Sequence, residues 1–450
     1  MHPQKNKATR FDFPRSYDLA GHNMNVPAGD EIMLMDRVIR DLWLTNRTLV
    51  SDDYDLSLDY ISKIIPIDTL CFPSGKEIFT WTVPEKWTVK EAWLKYNDKI
   101  ICDFKQHPLH LVSYSTSFKG MISKEELKGH LYFDIDRPEA IPFVYKYYSR
   151  DWGFCISYEQ FQKLPEGPFE VLIDTSFEDG FLKVGEYVLP GSSKESIVLC
   201  SHLCHPGQVN DGLSGIAIGI ALMKRLEKLN SRYYTYRFVM CPENIGSITY
   251  LSSRQEEIPS LKYGIFLEML GNKNQLKLQL SKKGNTVIDR IAEQILEENV
   301  SVYGVGPFRQ VIANDEINFD GPGVNCSMIS LSRWPYPEYH TSDDNPGIIS
   351  LRYLNESLNI VWKIIEYMEK NVYPTSNYIG NVFLSKFGLY EDLNHDDTIE
   401  KILLSFDGKC NVLEISEYLG LPFSVVDSYV KKFLDAGLIK PMRSPFSNGQ

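Results

Sequence analysis

The chain has 450 residues, which exceeds an ordinary single domain, so two or three domains are expected. The composition, 43% hydrophobic and 24% charged, is typical of a globular protein with enough apolar material for a core. The net charge of −12 argues against nucleic acid or an anionic membrane as the main partner, and it is compatible with a cationic substrate such as a free amino group.

The N-terminal residues and the cysteines bear on the cellular compartment. The sequence begins MHPQKNKATRFDFP, without the apolar segment of a signal peptide, and it has no run of about 18 apolar residues. The eight cysteines have no paired spacing, and several lie in apolar runs, which favours reduced, buried thiols. These features predict a cytoplasmic protein that does not insert into a membrane.

Two kinds of pattern follow each other in the first third of the chain. Residues 29–64 show helical periodicity, with a second helix beginning at SDD, residues 51–53. Residues 68–135 instead contain short runs of aromatic and β-branched residues, which are interrupted by Pro84 and Pro108. We predict a compact β-domain over residues 68–135, inserted into the domain that surrounds it.

Buried strands alternate with amphipathic helices in the middle of the chain. Residues 169–191 show the alternation of a β-hairpin, and a long helix is predicted near residues 347–371. Between them lie apolar strands and a helix, at residues 196–201, 213–229, 237–241 and 263–269. This order predicts an α/β fold with a mixed, mostly parallel central sheet and helices on both faces, formed by residues 1–67 and 136–375 together.

The C-terminal part, residues 385–450, is predicted to form a winged-helix-like domain. Its three short helical patterns lie near residues 399–406, 412–419 and 424–436. Residues 391–420 contain eight acidic residues but only two basic ones, Lys401 and Lys409, which does not suit DNA binding. Packing against the rest of the chain, or contact with a protein partner or a second copy of the chain, is therefore favoured over DNA binding.

The segment SIVLCSHLCHPGQVNDGLSG, residues 196–215, carries the clearest functional signal. Its apolar run ends directly in His202, and Asp211 follows a Pro-Gly turn at the start of the next helix. Further ligand-type residues lie at or just after the ends of predicted strands, namely Glu243, Glu268 and His340. Because the carboxyl ends of parallel strands meet at one edge of a sheet, these groups can converge. Each is a weak signal alone, but two imidazoles and three carboxylates together suit zinc, as one ion or as two that share a carboxylate.

These segments resemble the co-catalytic zinc aminopeptidases. The most specific matches are SHLCHPGQVNDGLSG and YPEYHTSDD, and the resemblance is closest to a bacterial aminopeptidase-like subgroup with an inserted β-domain and a C-terminal winged helix. It implies one zinc ion on His202 and Glu268. A second zinc ion would be held by His340 and a glutamate, and Asp211 would bridge the two. A metal-activated water would then attack a scissile carbonyl, with a carboxylate as base.

Three positions differ from the pattern of that family. Cys204 stands where an aspartate usually orients the first histidine, and Glu268 stands where an aspartate ligand is usual. Pro242-Glu243 replaces a Glu-Glu pair in which one carboxylate is the base and the other a ligand. Glu243 is therefore predicted as the catalytic acid–base or as a second ligand, and the site as holding one or two zinc ions.

Further residues near these motifs have two interpretations each. His205 is expected to support the site from a structural position or to replace a lost ligand. Asp315 is interpreted as a contact for a substrate amine or as a turn cap. Tyr336 and Tyr339 flank the last histidine and are interpreted as donors to an oxyanion or as packing residues. Asp344 is expected to fix its loop rather than to bind metal.

The leading hypothesis is a zinc-dependent aminopeptidase or amidohydrolase that acts on a peptide or an amide-containing small molecule. A first alternative is a metal-dependent amide enzyme for an amino-sugar or glycan precursor, because the resemblance defines a site and not a substrate. A second alternative is a degenerate peptidase fold that serves as a regulator or scaffold, which Cys204 and the missing Glu-Glu pair favour. Membrane and nucleic acid are not expected as partners.

Overall fold

The computed structural model of the chain describes residues 28–390 and 398–445. Its α-helices are α1 (Ala28–Leu42), α2 (Asp52–Ser62), α3 (Lys124–Lys128), α4 (Tyr158–Gln162), α5 (Leu213–Glu227), α6 (Ile245–Ser253), α7 (Val287–Asn299), α8 (Glu316–Phe319), α9 (Leu351–Lys370), α10 (Thr398–Leu404), α11 (Val412–Leu419) and α12 (Phe423–Asp435). Its short 3-10 helices are Pro108–His110, Gln255–Ser260 and Leu384–Phe387. No helix of these residues has the length and apolar character needed to cross a membrane.

The strands form one large sheet and several smaller ones. In chain order they are β1 (Asp68–Pro73), β2 (Glu77–Ile78), β3 (Trp81–Thr82), β4 (Lys86–Tyr96), β5 (Lys99–Asp103), β6 (Phe118–Ile122), β7 (Leu131–Tyr132), β8 (Phe154–Cys155), β9 (Phe169–Glu178), β10 (Phe181–Leu189), β11 (Ser196–His202), β12 (Thr235–Cys241), β13 (Leu261–Leu267), β14 (Leu276–Gln279), β15 (Tyr303–Gly306), β16 (Ser327–Ser332), β17 (Tyr373–Ser376) and β18 (Ile439–Met442).

The large sheet has a parallel centre and antiparallel neighbours. Its eight strands have the order β1-β10-β12-β11-β13-β16-β14-β15. The four central strands, β12, β11, β13 and β16, are parallel, whereas β1, β10 and β14 join antiparallel neighbours. Helices α5, α6 and α7 pack against its strands. The predicted α/β fold with a mixed, mostly parallel central sheet is confirmed.

The strand that leads into the candidate site is buried along its whole length. Every residue of β11 is buried, because the strand lies between parallel neighbours in the middle of the sheet, and this explains its nearly continuous apolar sequence. The helix α5 follows and approaches the sheet closely. A Cβ atom on Gly215 would lie only 2.1 Å from the carbonyl oxygen of Leu267. The glycine therefore lets the first turn of α5 lie over the strand ends.

Residues 169–191 do not form the β-hairpin that their alternation predicts. β9 pairs with β4 and β6 in a four-stranded sheet of order β5-β4-β9-β6, whereas β10 pairs with β1 and β12 in the large sheet. Alternation shows which face of a strand is buried, but it does not determine the partner of that strand. The smaller sheet thus draws on segments on both sides of residue 135, and β1 belongs to the large sheet. The predicted domain limits stay a prediction.

The three predicted C-terminal helices are present as α10, α11 and α12. They are tied to the preceding domain because β18 pairs with β17, and because the ring of Phe423 stacks on that of Tyr367 at 4.2 Å. An ion pair of 2.5 Å also joins Arg290 in α7 to Glu417 in α11. Residues 391–397 lie outside the described residues. The winged-helix assignment stays a prediction.

A buried carboxylate fixes α6, the helix that begins just after Glu243, to the sheet. Glu186 in β10 is 1% exposed and accepts hydrogen bonds from Arg237 at 2.8 Å and from Tyr250 at 2.7 Å. Arg254, at the end of α6, donates to it at 2.6 Å. Burial disfavours the ionised form of Glu186, but these donors outweigh burial and lower its pKa.

Glu186→Gln is expected to reduce the free energy of unfolding by about 2 kcal/mol, because a neutral amide replaces the charged acceptor of two arginines. Chemical denaturation of the metal-free protein measures the change. Glu178→Gln is the matched control, since that side chain is 55% exposed and lies 3.5 Å from Lys86. The control should change stability by less than about 0.5 kcal/mol. Equal losses in the two variants would contradict this role of Glu186.

Candidate metal centre

β11 brings His202 to the C-terminal edge of the central sheet, beside Asp211. His202 is the last residue of the strand and is 1% exposed, and its Nε2 lies 2.6 Å from Asp211 Oδ1. Gly212 permits this approach, because a Cβ atom there would lie 2.3 Å from Cδ2 of His202. The strand end and the start of the next helix are therefore in direct contact.

His205 and His340 complete a group of three imidazoles around Asp211. His205 Nδ1 lies 3.5 Å from Asp211 Oδ1, and His340 Nε2 lies 3.3 Å from Asp211 Oδ2. On its other side, His205 Nε2 lies 3.4 Å from Glu243 Oε2. The ligand atoms lie within 4.8 Å of one another in two triads, which are His202–His205–Glu243 and His205–Asp211–His340. His205, for which the sequence leaves two interpretations, belongs to both triads.

Glu268 lies outside both triads. The side chain is fully buried, and its Oε2 accepts a hydrogen bond from the side-chain amide of Asn314. Among the described residues its Oε1 has no hydrogen-bond partner. An ionised carboxylate in such a position is strongly disfavoured unless a cation or a hydrogen-bond donor compensates it. Neither triad includes Glu268.

Asp315 lies behind His202 and contacts the start of α6. It is fully buried, and its Oδ1 accepts hydrogen bonds from the backbone N–H of Asn244 at 2.8 Å and from the Ser247 hydroxyl. Its Oδ2 lies 3.8 Å from Nδ1 of His202. A carboxylate on the far nitrogen of a ligand histidine fixes the orientation of the ring. Asp315 is therefore placed to orient the ring of His202, a role that Cys204 does not fill.

Cys204 and Glu243 are connected through a backbone hydrogen bond. The N–H of Glu243 donates to Sγ of Cys204 at 3.1 Å, so the thiol supports the position of Glu243 instead of orienting His202. Burial raises the pKa of Cys204 to about 12, which keeps it a thiol at neutral pH. The side chain of Glu243 is 31% exposed, whereas that of Asp211 is 1% exposed. Glu243 is thus the carboxylate of the triads that solvent reaches.

Asp344 holds the turn that carries Asp211. Its Oδ1 accepts the backbone N–H groups of Val209 at 3.2 Å and Asn210 at 2.7 Å, and its Oδ2 accepts that of Asp211 at 3.1 Å. The Tyr336 hydroxyl donates to the same Oδ2 at 2.7 Å. Burial raises the pKa of Asp344 to about 7, although these hydrogen bonds act in the opposite direction. Tyr336 is thus engaged with Asp344 and not with the triads.

Arg47 holds the loop between His202 and Asp211 through hydrogen bonds to its backbone. Its guanidinium is fully buried and donates to the carbonyl oxygens of Leu203 at 3.1 Å, His205 at 2.5 Å and Gln208 at 3.0 Å. Burial lowers the pKa of Arg47 to about 10, which leaves it charged at neutral pH. No local pattern in the sequence marks this role of Arg47, because its contacts with the loop span more than 150 positions.

Burial and charge act against each other in the centre. Burial disfavours the charged forms of His202 and Asp211, but their mutual attraction is stronger, so the pKa of His202 is raised and that of Asp211 is held well below its usual range. Burial lowers the pKa of His205 and raises that of Glu268. For Glu243, burial is outweighed by the two histidines, and its pKa is lowered. A divalent cation would favour the ionised form of each carboxylate.

Buried polar atoms without hydrogen-bond partners are concentrated in this centre. Among the described residues they include His202 Nδ1, His205 Nδ1, Asp211 Oδ2, Glu268 Oε1, Asp315 Oδ2 and His340 Nε2. Each such atom costs about 1–3 kcal/mol when nothing compensates it. Imidazole nitrogens and carboxylate oxygens are also the ligands that zinc takes in proteins. The donor set therefore fits a zinc ion.

Comparison with known proteins assigns the chain to a family. The family model DUF4910, described as a domain of unknown function, matches residues 36–371, which is more than half of the chain. The chain belongs to this family. A protein of Clostridium acetobutylicum, described as a candidate polysaccharide biosynthesis protein with an aminopeptidase-like domain, is 33% identical over 398 residues. The match covers 86% of this chain and 91% of that relative.

Solved structures show the same fold as this DUF4910 member. A crystal structure of a candidate peptidase from Clostridium acetobutylicum has 31% identity and a TM-score of 0.86, and covers 92% of this chain and 97% of the other. BSAP, a zinc aminopeptidase from Bacillus subtilis, has 11% identity and a TM-score of 0.56, covering 77% and 96%. A peptidase M28 precursor from Shewanella amazonensis has 15% identity and a TM-score of 0.53, covering 76% and 96%. This DUF4910 member therefore has an aminopeptidase-like fold.

Tyr339 packs directly against His340 in this member of the DUF4910 family. Its ring stacks on that of His340, with the centroids 3.8 Å apart. Burial, followed by the charge of Asp211, raises the pKa of Tyr339, so its hydroxyl stays protonated at neutral pH. Of the two tyrosines that flank His340, Tyr336 is directed to Asp344, whereas Tyr339 covers the imidazole.

Tyr336→Phe is expected to destabilise the metal-free protein by about 1 kcal/mol, because Asp344 loses one of its buried hydrogen-bond donors. Zinc affinity should fall by less than about tenfold, since the turn of Asp211 keeps its other hydrogen bonds to Asp344. Chemical denaturation in the presence of a chelator, followed by zinc titration, measures both effects. Tyr418→Phe, at a position 84% exposed, is the control. A Tyr336→Phe protein as stable as the control would contradict this assignment.

Proposed function

We propose that the chain is a metal-dependent hydrolase of the aminopeptidase type, which cleaves a peptide or amide bond with water. The observation that carries the proposal is the convergence of three imidazoles within 3.5 Å of one buried carboxylate, Asp211. The unpartnered polar atoms in the same place support it. The aminopeptidase-like fold supports it as well, because the carboxyl edge of a parallel sheet is where such folds bind ligands.

We assign the principal zinc site to His205, Asp211 and His340, with His202 as a further ligand. Catalytic zinc sites commonly use three protein ligands and leave one position open. Zinc bound there would polarise the substrate carbonyl and lower the pKa of a bound water toward neutrality. A second ion would be held by His202 and Glu268, as the family resemblance implies, so the proposal includes one or two zinc ions.

Glu243 is proposed as the general base and acid. It is the carboxylate of the triads that solvent and substrate can reach, with 31% of its side chain exposed. Its lowered pKa keeps it ionised at neutral pH, so it can accept a proton from the attacking water. The same carboxyl group can then return that proton to the leaving amine. Its backbone N–H is held by Cys204, and its Oε2 lies 3.4 Å from Nε2 of His205.

Tyr339 is proposed as the donor to the carbonyl oxygen, which becomes negatively charged as water adds. Its hydroxyl remains protonated at neutral pH, as a donor to a developing oxyanion must be. Its ring is held against His340, so its position is fixed relative to the proposed metal ligands. The fully buried Asp315 is assigned to the orientation of His202 and not to a substrate amine.

The amide of an amino sugar is the second candidate substrate. The observation that favours it is the description of the Clostridium acetobutylicum relative as a candidate polysaccharide biosynthesis protein. The chemistry at the carbonyl would be the same, because an N-acetyl group presents the same amide to the base and the metal. The two candidates differ in what is attached to the amide.

Zinc titration and hydrolysis assays test the proposal. The chelator-treated protein is titrated with zinc and assayed on amino-acid anilides, short peptides and N-acetylated amino sugars. We expect zinc-dependent hydrolysis of at least one class and its loss in His340→Ala. His130→Ala should keep both properties, since that ring stacks on Trp152 at 3.8 Å, outside the triads. If the wild type binds no zinc, or if His340→Ala binds it equally well, the regulator or scaffold alternative is favoured.

A further inference from the structure

The segment of residues 142–147, between β7 and β8, borders the candidate metal centre. The backbone N–H of Phe143 donates to the carbonyl oxygen of His340 at 2.8 Å, and Pro142 forms an antiparallel bridge with Thr341. The ring of Phe143 meets that of His340 edge-on at 5.3 Å and that of His205 at 5.7 Å. The segment is thus in fixed register with two of the proposed zinc ligands.

Tyr145, two residues further on, is held rigidly but is open to solvent. Its backbone is paired with Ser113, whose N–H donates to the carbonyl of Val144 and whose carbonyl accepts the N–H of Lys146, both at 2.9 Å. One face of its ring stacks on Tyr147 at 4.5 Å and an angle of 17°. The side chain is nevertheless 51% exposed. The Phe143 ring also contacts it, at 5.5 Å and an angle of 43°, so two neighbours hold the ring while about half of the side chain stays open to solvent.

The support behind Tyr145 is itself part of the core. The Tyr147 ring meets Tyr114 edge-on at 5.2 Å, and Tyr114 stacks on Trp87 at 5.5 Å. Tyr114 and Trp87 are each 1% exposed, so the rings behind Tyr145 are fixed by the packing of the core. The charge of Glu243 also acts on the Tyr145 hydroxyl, after burial, and raises its pKa. The contact of Tyr145 with Phe143, whose ring meets those of His340 and His205, places Tyr145 beside the candidate ligands.

We propose that Tyr145 forms a ring-stacking subsite of this centre, which accepts a substrate whose scissile amide is attached to a ring with an apolar face. The inference rests on the proposed function, because it names the substrate class of the same site. A rigid exposed aromatic face adds affinity for a second ring without loss of side-chain freedom on binding. An aromatic side chain and a pyranose both present such a face. The two candidate substrates therefore share the chemistry that this subsite would recognise.

Binding of matched ring and ring-free ligands to the zinc-loaded full chain tests the subsite by calorimetry. The first pair is phenylalanine hydroxamate and alanine hydroxamate, and the second is N-acetylglucosamine and its open-chain alditol. We expect the wild type to prefer at least one ring ligand by about threefold to tenfold, the range of an aromatic contact. The pair that shows the preference identifies the ring as aromatic or as a sugar.

Substitutions at position 145 decide whether Tyr145 is responsible. Tyr145→Ala should abolish the preference for the ring and leave the ring-free ligand unchanged, whereas Tyr145→Phe should retain it. Tyr418→Ala, at an exposed tyrosine in α11, should behave like the wild type. Equal affinity of the wild type for ring and ring-free ligands, or a preference that survives Tyr145→Ala, overturns the subsite.

Different results overturn the hydrolase proposal and the ring-stacking subsite. Zinc-dependent hydrolysis without a Tyr145-dependent preference overturns only the subsite. A chain that binds no zinc but prefers ring ligands through Tyr145 would lose the hydrolase proposal and keep the ring-binding site. The zinc titration, which involves no organic ligand, distinguishes these two results.

Discussion

Asp211→Asn is expected to weaken zinc binding by more than about 100-fold, because the loss of an outer partner of a ligand alone costs about 10–100-fold. Asp211 lies within 3.5 Å of His202, His205 and His340. Asparagine keeps the shape of the side chain, but it is neutral and has one acceptor oxygen instead of two. Zinc titration of the chelator-treated protein, followed by the hydrolysis assay, measures the loss.

Thermal unfolding separates the loss of metal from the loss of fold in this variant. At a zinc concentration 100 times its Kd, the wild type should gain about 2.7 kcal/mol of stability by mass action, and Asp211→Asn should gain almost nothing. Asp174→Asn is the matched control, since that carboxylate lies in β9 and is 51% exposed. If Asp211→Asn and Asp174→Asn gain the same stability from zinc, the ion binds elsewhere.

Arg47→Met is expected to reduce the free energy of unfolding by about 3–5 kcal/mol, the range for removing one partner from a buried charged network. Methionine has a comparable length but donates no hydrogen bond. The carbonyl oxygens of Leu203, His205 and Gln208 therefore lose their shared donor in a place that water does not reach. The denaturation midpoint of the metal-free protein measures the effect.

Two further variants identify the cause of that loss. Arg47→Lys keeps the charge, but an ammonium group cannot match the planar geometry of the guanidinium, so we expect a loss between those of the wild type and Arg47→Met. Arg40→Met removes an arginine that is 57% exposed and paired with Asp36 at 2.9 Å, and its effect should stay within about 0.5 kcal/mol. Zinc affinity should fall in Arg47→Met only. An Arg47→Met protein with unchanged stability and zinc affinity would refute the positioning role.

The fold followed from the sequence wherever a local pattern carried the information. The apolar run predicted over residues 196–201 is β11, and the helix predicted over residues 213–229 is α5. The alternation of such elements was sufficient for the mixed, mostly parallel sheet. It failed for residues 169–191, because alternation is the same in a hairpin and in two strands that belong to different sheets.

The candidate site followed from the sequence in part. His202, Asp211, Glu243 and His340 lie together, as expected for side chains at the ends of neighbouring strands. The sequence did not predict that Glu268 lies outside the triads, because the conformation of a side chain depends on the residues that pack around it. The central place of His205 could have been found from its spacing, three residues after His202 beyond the end of a strand, but the Pro-Gly turn favoured a structural role.

By itself, the sequence determined the alternation of strands and helices over residues 196–269, the residue types at the strand ends and the resemblance to a zinc site. These depend on residues that are close together in the chain, so they leave a local pattern. The tertiary structure decided that His205 joins both triads, that Asp315 faces His202 where Cys204 does not, and that Arg47 holds the loop between them. Apart from the place of His205, these are contacts between distant segments, and only the packing of the whole sheet with its helices brings their atoms within reach.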